Sequence, residues 1–229
     1  MMLLFLHSCR DNNPGDNPVA GETVLQLKTP SGVDFDWKAA PNALVNGASC
    51  RITLSEGSPA IGVEASSAGE YEIIIPAEAY SRVRKCFVLP PAQIPSASGA
   101  ADPRFFPMHA RTDASGEVCL EPLVGIVKIN VKGAGRLMSA YLSAPSLSGT
   151  FGFDGESLSA DSSYPLCPFT VVNAAGNGSG LETSGLYAAV PPGNYSDGIT
   201  VRVTDNNHHV GYASVGAREI KAGDVVEVN

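Results

Sequence analysis

Residues 121–144, EPLVGIVKINVKGAGRLMSAYLSA, carry the most regular pattern in the chain. Val127, Ile129 and Val131 alternate with Lys128, Asn130 and Lys132, a period of two that gives an extended strand one dry face and one wet face. Gly133-Ala134-Gly135 then turns the chain, and Leu137 to Leu142 is expected to return beside the first strand as a hairpin. Nothing in the stretch is reactive, so the function is to be sought in what sheets can do.

Working outward, GLYAAVPPGNY runs a strand into a Pro-Pro-Gly turn. GITVRVTDNNHHVGYAS points Ile199, Val201 and Val203 inward before an Asp-Asn-Asn turn, and REIKAGDVVEVN ends on a short strand. Upstream, ETVLQLKT supplies Val24, Leu25 and Leu27, and VDFDWK alternates Val33, Phe35 and Trp37 with Asp34, Asp36 and Lys38, which predicts a strand. SCRITL, AIGVEAS and EYEIIIPA follow, separated by the turn-forming SEGSP and SSAGE. PAEAYSRVRKC predicts a short helix opening at Pro76. LPPAQIPSASGAADPRFFPMHARTDASGE has no sustained period and reads as a long loop or the passage between two domains, with a boundary near Glu121. Strand signals recurring every roughly 8 to 12 residues indicate a β-sandwich.

Composition agrees with this reading. The 229 residues are 44% hydrophobic and only 17% charged, with 24 Gly and 17 Pro, which suits many short strands joined by turns. Length allows two domains, 21–120 and 121–229, after an N-terminal segment 1–20. A net charge of -8 with scattered acids excludes a phosphate-neutralising surface, so nucleic acid is not expected as a partner. An anionic membrane would repel such a chain unless it were anchored.

MMLLFLHSC resembles the end of a bacterial lipoprotein signal, with Leu6-His7-Ser8 leading to Cys9 as the lipid-bearing residue. A basic leader is missing and the apolar run is short, so the signal is read as truncated or its true start as lying upstream. An incidental apolar N-terminus remains the alternative. RDNNPGDNPVAGE fits a polar tether. Cys50, Cys86, Cys119 and Cys167 form no C-x-x-C pair, which leaves disulfides of an exported protein or buried thiols as the readings.

Reactive constellations are sparse. Neighbouring His208 and His209 would share a metal only where the backbone leaves the extended form, and the other reading is exposed hairpin-tip histidines. His7 and His109 have no Cys or carboxylate cluster beside them. Asp34 and Asp36 share a strand face, open to a glycosidase or Ca²⁺ reading and to that of a solvated side. No G-x-S-x-G occurs, and NAAGNGSGLETSG lacks the Lys of a phosphate loop. Sequons at Asn177 and Asn194 are read as chance. No cofactor, metal or catalytic residue is expected.

The order LEPLVGIVKINVKGAGRLMSAYLSAPSLSGTFGFD, then GLYAAVPPGNYSDGITVRVTDNNHHVGYASV and a terminal IKAGDVVEVN, resembles the C-terminal domain of fimbrillin-like lipoproteins of Bacteroidetes. Leu123, Gly125, Lys128, Gly133, Leu147, Gly149, Pro192, Gly193, Tyr195, Gly198 and Gly223 carry the pattern, while FDWK, EYEIIIPAEAY and FFPMHARTDASGEV are similar to the N-terminal domain. The resemblance implies two tandem transthyretin-like Greek-key β-sandwich domains and export as a lipid-anchored outer-membrane precursor. It also implies assembly with other fimbrial subunits by strand addition after cleavage at an Arg or Lys. Arg51, Arg82 and Arg84 are the candidate processing sites. An ending straight after VVEV, with no donor tail, fits an anchor, tip or accessory subunit as well as a stalk. The runner-up is a monomeric surface lipoprotein binding glycan or a host protein through its sandwich loops, with Tyr80, Phe105, Phe106 and Tyr164 as contacts or as core caps. An envelope hydrolase, the third reading, would need carboxylates that only folding could bring together.

Overall fold

The computed structural model describes residues 22–64, 69–113, 116–132, 135–160, 163–177, 180–182 and 185–229. They are all-β, as the composition indicates, with only single 3-10 turns between strands. The first set of strands is β1 (Glu22–Lys28), β2 (Asn42–Val45), β3 (Ala48–Ser55), β4 (Ser58–Glu64), β5 (Tyr71–Ile75), β6 (Tyr80–Ser81), β7 (Cys86–Leu89), β8 (Ala92–Gln93), β9 (Met108–Thr112), β10 (Gly116–Cys119) and β11 (Glu121–Pro122). Eight of them form one sheet in the order β10-β1-β4-β3-β2-β5-β9-β11. Leu25, Ile61, Ile73, Ile75 and Met108 are fully buried on its inner side.

The second set is β12 (Gly125–Asn130), β13 (Leu137–Phe153), β14 (Leu158–Ala160), β15 (Cys167–Val172), β16 (Gly185–Val190), β17 (Gly193–Tyr195), β18 (Ile199–Asp205), β19 (Val210–Val215), β20 (Arg218–Ile220) and β21 (Val225–Val228). A three-stranded sheet, β16-β12-β21, faces a larger one, β19-β18-β13-β15-β8. Val127, Leu137, Leu142, Leu186, Val201 and Ile220 form the core between them.

Strand β13 serves both cores. Residues 137–148 pair with β15 and β18, and residues 149–152 pair with β7, so Phe151 and Phe153 join Phe87 in the first core. A register shift between Ser143 and Ser148 marks the change of partner. Gly149, at φ 133, makes the bend possible, since a Cβ there would lie 2.8 Å from the Leu166 side chain and 3.2 Å from the Pro165 carbonyl. Buried Gln93 ties the halves a second time: its amide donates to the Ala189 carbonyl and accepts from the Ala189 N–H, both at 2.9 Å.

Several local expectations are corrected. The hairpin of residues 121–144 does not form: β12 pairs with β16 and β21, and β13 lies in the opposite sheet. Alternation tells which side chains face inward but not which strand lies alongside. VDFDWK buries Val33 and Trp37 as expected, yet its backbone meets only Ala101, and Asp36 accepts the Lys38 N–H at 3.0 Å and closes a 3-10 turn. The helix after Pro76 is a single 3-10 turn, Ala77–Ala79, because Tyr80 extends to pack on Phe87 and Phe153. Within the expected loop 89–117, MHART is β9, paired along its length with β5. Met108, His109 and Ala110 are all buried, so no alternation announced it.

Candidate functional site

An apolar hollow lies between the two sheets of the second core. Ile129 and Val131 from the end of β12, Val201 and Val203 from β18, Ala213 from β19 and Val228 from β21 line a groove of about 290 Å³. Val131, Val203 and Ala213 pack only partly against the core beneath. Gly211 brings no side chain to fill the space, and a Cβ there would stand 3.0 Å from Val203. Strands β19 and β21 flank the groove, and each has one strand partner among the described residues, β18 and β12 respectively. Along their outer edges no strand among the described residues pairs with their backbone N–H and C=O groups. An ion pair between Lys128 and Glu227 at 3.0 Å and an amide pair between Asn130 and Asn229 at 3.1 Å hold β12 and β21 in register at the rim. Chemically it offers apolar side chains inside, with Asn130, Lys132, Tyr212 and Asn229 also on its lining.

At the tip of β18 and β19, Asp205 organises the turn. It is buried, and it accepts N–H bonds from Gly135 at 3.2 Å, Asn207 at 2.8 Å and His209 at 2.9 Å, with the His209 ring Nδ1 3.0 Å from its second oxygen. Burial pushes its pKa up, but these donors outweigh that and hold the carboxyl down at about 2. The two histidines do not converge: His208 takes a positive φ of 64, and His209 turns to Asp205. No three His, Cys, Asp or Glu among the described residues are placed to hold a metal.

The other sequence-derived sites fall apart in space. Arg51 has an exposed side chain, but its backbone sits in β3, between β2 and β4. Arg82 and Arg84 lie in the exposed turn after β6, where Val83 is 96% exposed. The Arg82 guanidinium donates to the Gly47 carbonyl, and that of Arg84 lies 5.8 Å from the Tyr164 ring centroid. Cys9 is outside the described residues. Cys86 is a buried free thiol, Cys119 an exposed one and Cys167 half-buried, while Cys50 is buried on β3. Phe106 is buried, and Tyr80 and Phe105 pack against the first core, so these three cap it.

A polar hollow of about 650 Å³ beside β5 and β9 contains Glu70, Glu72, Arg111 and Asp113. Glu72 is already engaged there, by Arg111 at 3.0 Å and by His109 at 3.4 Å. Asp154, held below the usual carboxylate range by the N–H groups of Ser157 and Glu156, closes its own turn instead of facing that hollow. The groove was legible only in part: Val131 and Val203 were assigned inward, but nothing in the sequence marked the gap at Gly211.

No protein-family model matches the sequence, and no curated protein matches it. The fold has solved counterparts. A candidate cell adhesion protein from Bacteroides uniformis superposes with a TM-score of 0.57 at 10% identity, over 91% of each chain. Another from Bacteroides ovatus gives 0.54 at 11% identity, over 89% of each. The tip fimbrial protein Mfa3 from Porphyromonas gingivalis, with a C-terminal truncation, gives 0.37 at 12% identity over 85% of this chain and 81% of that one, a looser likeness on which nothing here rests. The fimbrillin-like resemblance in the sequence is therefore met, at the level of fold alone, by a likeness to candidate cell adhesion proteins of Bacteroides.

Proposed function

We propose that this chain is a non-enzymatic cell-surface adhesin or fimbrial subunit that associates with further subunits by β-strand addition. One observation carries the reading: β19 and β21, each with a single strand partner among the described residues, flank an apolar groove that those residues leave open. A strand from a second subunit would take up the unpaired backbone groups and place alternate side chains in the groove, which is how strand addition combines affinity with register. The fold shared with candidate cell adhesion proteins favours the same role and a cell-surface location. Within this reading the two cores are tandem transthyretin-like sandwiches divided near Glu121, and Cys9 is the lipid anchor of an outer-membrane precursor. The exposed turn at Arg82 and Arg84 is a better processing site than Arg51, whose peptide bonds lie within a sheet.

The test is electrophoresis, without boiling, of protein extracted from the native cell surface, beside an Ala213→Phe variant that fills the groove. Heat-labile ladders for the native chain, lost in a variant that melts at an unchanged temperature, are expected. A native chain that runs only as a monomer would overturn the reading.

A further inference from the structure

On the outer face of the larger second sheet, β-ladder registers bring four side chains into one transverse row. Val171 of β15 stands opposite Tyr141 of β13, Tyr141 opposite Arg202 of β18, and Arg202 opposite Tyr212 of β19. Directly paired residues share a face, so the row crosses four strands, a span of about 14 Å at the usual strand spacing. Phe169 lies beside it, its ring stacked on that of Tyr141 at 5.8 Å with 19° between the planes. The Arg202 guanidinium lies over the other side of the group, 5.4 Å from the Tyr141 centroid. Tyr212 is 74% exposed. Ser143, Thr200 and Ser214 form the adjoining row of hydroxyls on the same face.

We infer that this face binds a carboxylated sugar, with Arg202 taking the carboxylate while Tyr141, Phe169 and Tyr212 receive the apolar faces of the pyranose rings. Charge complementarity fixes the sign of the ligand. In a chain of net charge -8, Arg104, Arg111 and Arg136 each pair with a carboxylate, but no carboxylate among the described residues pairs with Arg202. A guanidinium beside an aromatic ring still has N–H groups to offer in two parallel bonds to a carboxylate. The mixture of aromatic rings and hydroxyls points to the class. Sugar rings present C–H groups to an aromatic plane and hydroxyls at their rims, which matches rings flanked by Ser and Thr. A peptide would gain little here, because the backbone groups of β13 and β18 are already bonded in the ladders on both sides. The inference is separate from strand addition at Arg202, since its neighbours Val201 and Val203 line the groove and so point to the opposite face, while Tyr212 borders both.

The test is calorimetric titration of the purified full chain with 3′-sialyllactose and with trigalacturonate, using lactose as the neutral control. Saturable binding of at least one acidic saccharide is expected, with lactose at least tenfold weaker. Arg202→Gln and Tyr212→Ala, both exposed and so without effect on melting, are each expected to weaken binding, the first at least tenfold and the second at least threefold. Absence of saturable binding to both acidic saccharides, equal binding of lactose, or an affinity unchanged by either substitution would overturn the inference.

Discussion

The hydroxyl of Tyr195 donates a 2.6 Å hydrogen bond to the carbonyl of buried Pro191, four residues upstream at the start of the Pro-Pro-Gly turn. A tyrosine returning to nearby backbone in this way closes a sandwich corner. Tyr195→Phe keeps the ring and leaves a buried carbonyl unsatisfied, so a loss of about 1–2 kcal/mol is expected, read as a lower urea midpoint with an unchanged slope.

Acid stability should report on Asp205. Its carboxyl sits at about 2 in the folded chain against about 3.9 for an unfolded aspartate, so the unfolded state takes up the proton first as pH falls. The stabilisation is therefore complete above about pH 4 and lost on acidification toward pH 2. Melting temperatures across that window should fall less steeply in Asp205→Asn than in the native chain.

Gly198 occupies a positive φ of 74, and an added Cβ would run into the Val215 carbonyl oxygen. Left-handed backbone and overpacking combine in Gly198→Ala, with an expected cost of about 2–4 kcal/mol by chemical denaturation. Gly193, where a Cβ meets nothing within 4 Å, is the control, and Gly193→Ala should change stability by less than about 1 kcal/mol.

Phe87 is fully buried, with ring centroids 4.9 Å from Tyr80 and 5.5 Å from Phe153 of β13. Phe87→Ala removes the centre of that aromatic group and is expected to cost about 3–5 kcal/mol. Since β13 is continuous through both cores, fluorescence and circular dichroism of the native chain should trace one coincident unfolding transition.

Brief trypsin treatment should cut at Arg82 or Arg84 well before Arg51. A protease needs several residues free of their sheet partners, and the turn at Val83 offers them while β3 does not. Peptide mass spectrometry of the first fragments decides it, and an initial cut at Arg51 would place the weak point of the first sheet elsewhere.

Much of this fold was written locally. Alternation placed Val127, Ile129, Ile199 and Val201 inward, and all four are buried. The Asp-Asn-Asn stretch announced the turn now built around Asp205. Even where the strand at Val33 to Trp37 failed, Val33 and Trp37 are buried, with Phe35 partly so. These features follow from the pleat and from turn chemistry, which act over a few residues. The sequence by itself determined an all-β chain of many short strands joined by turns. Tertiary structure alone decided that β12 and β13 belong to opposite sheets, that MHART is a strand, that Gly211 leaves a groove, and that Tyr141, Phe169, Arg202 and Tyr212 meet. Each of these depends on which distant strand lies alongside, and that choice is made by the summed burial of two whole sheets, beyond the reach of any local period.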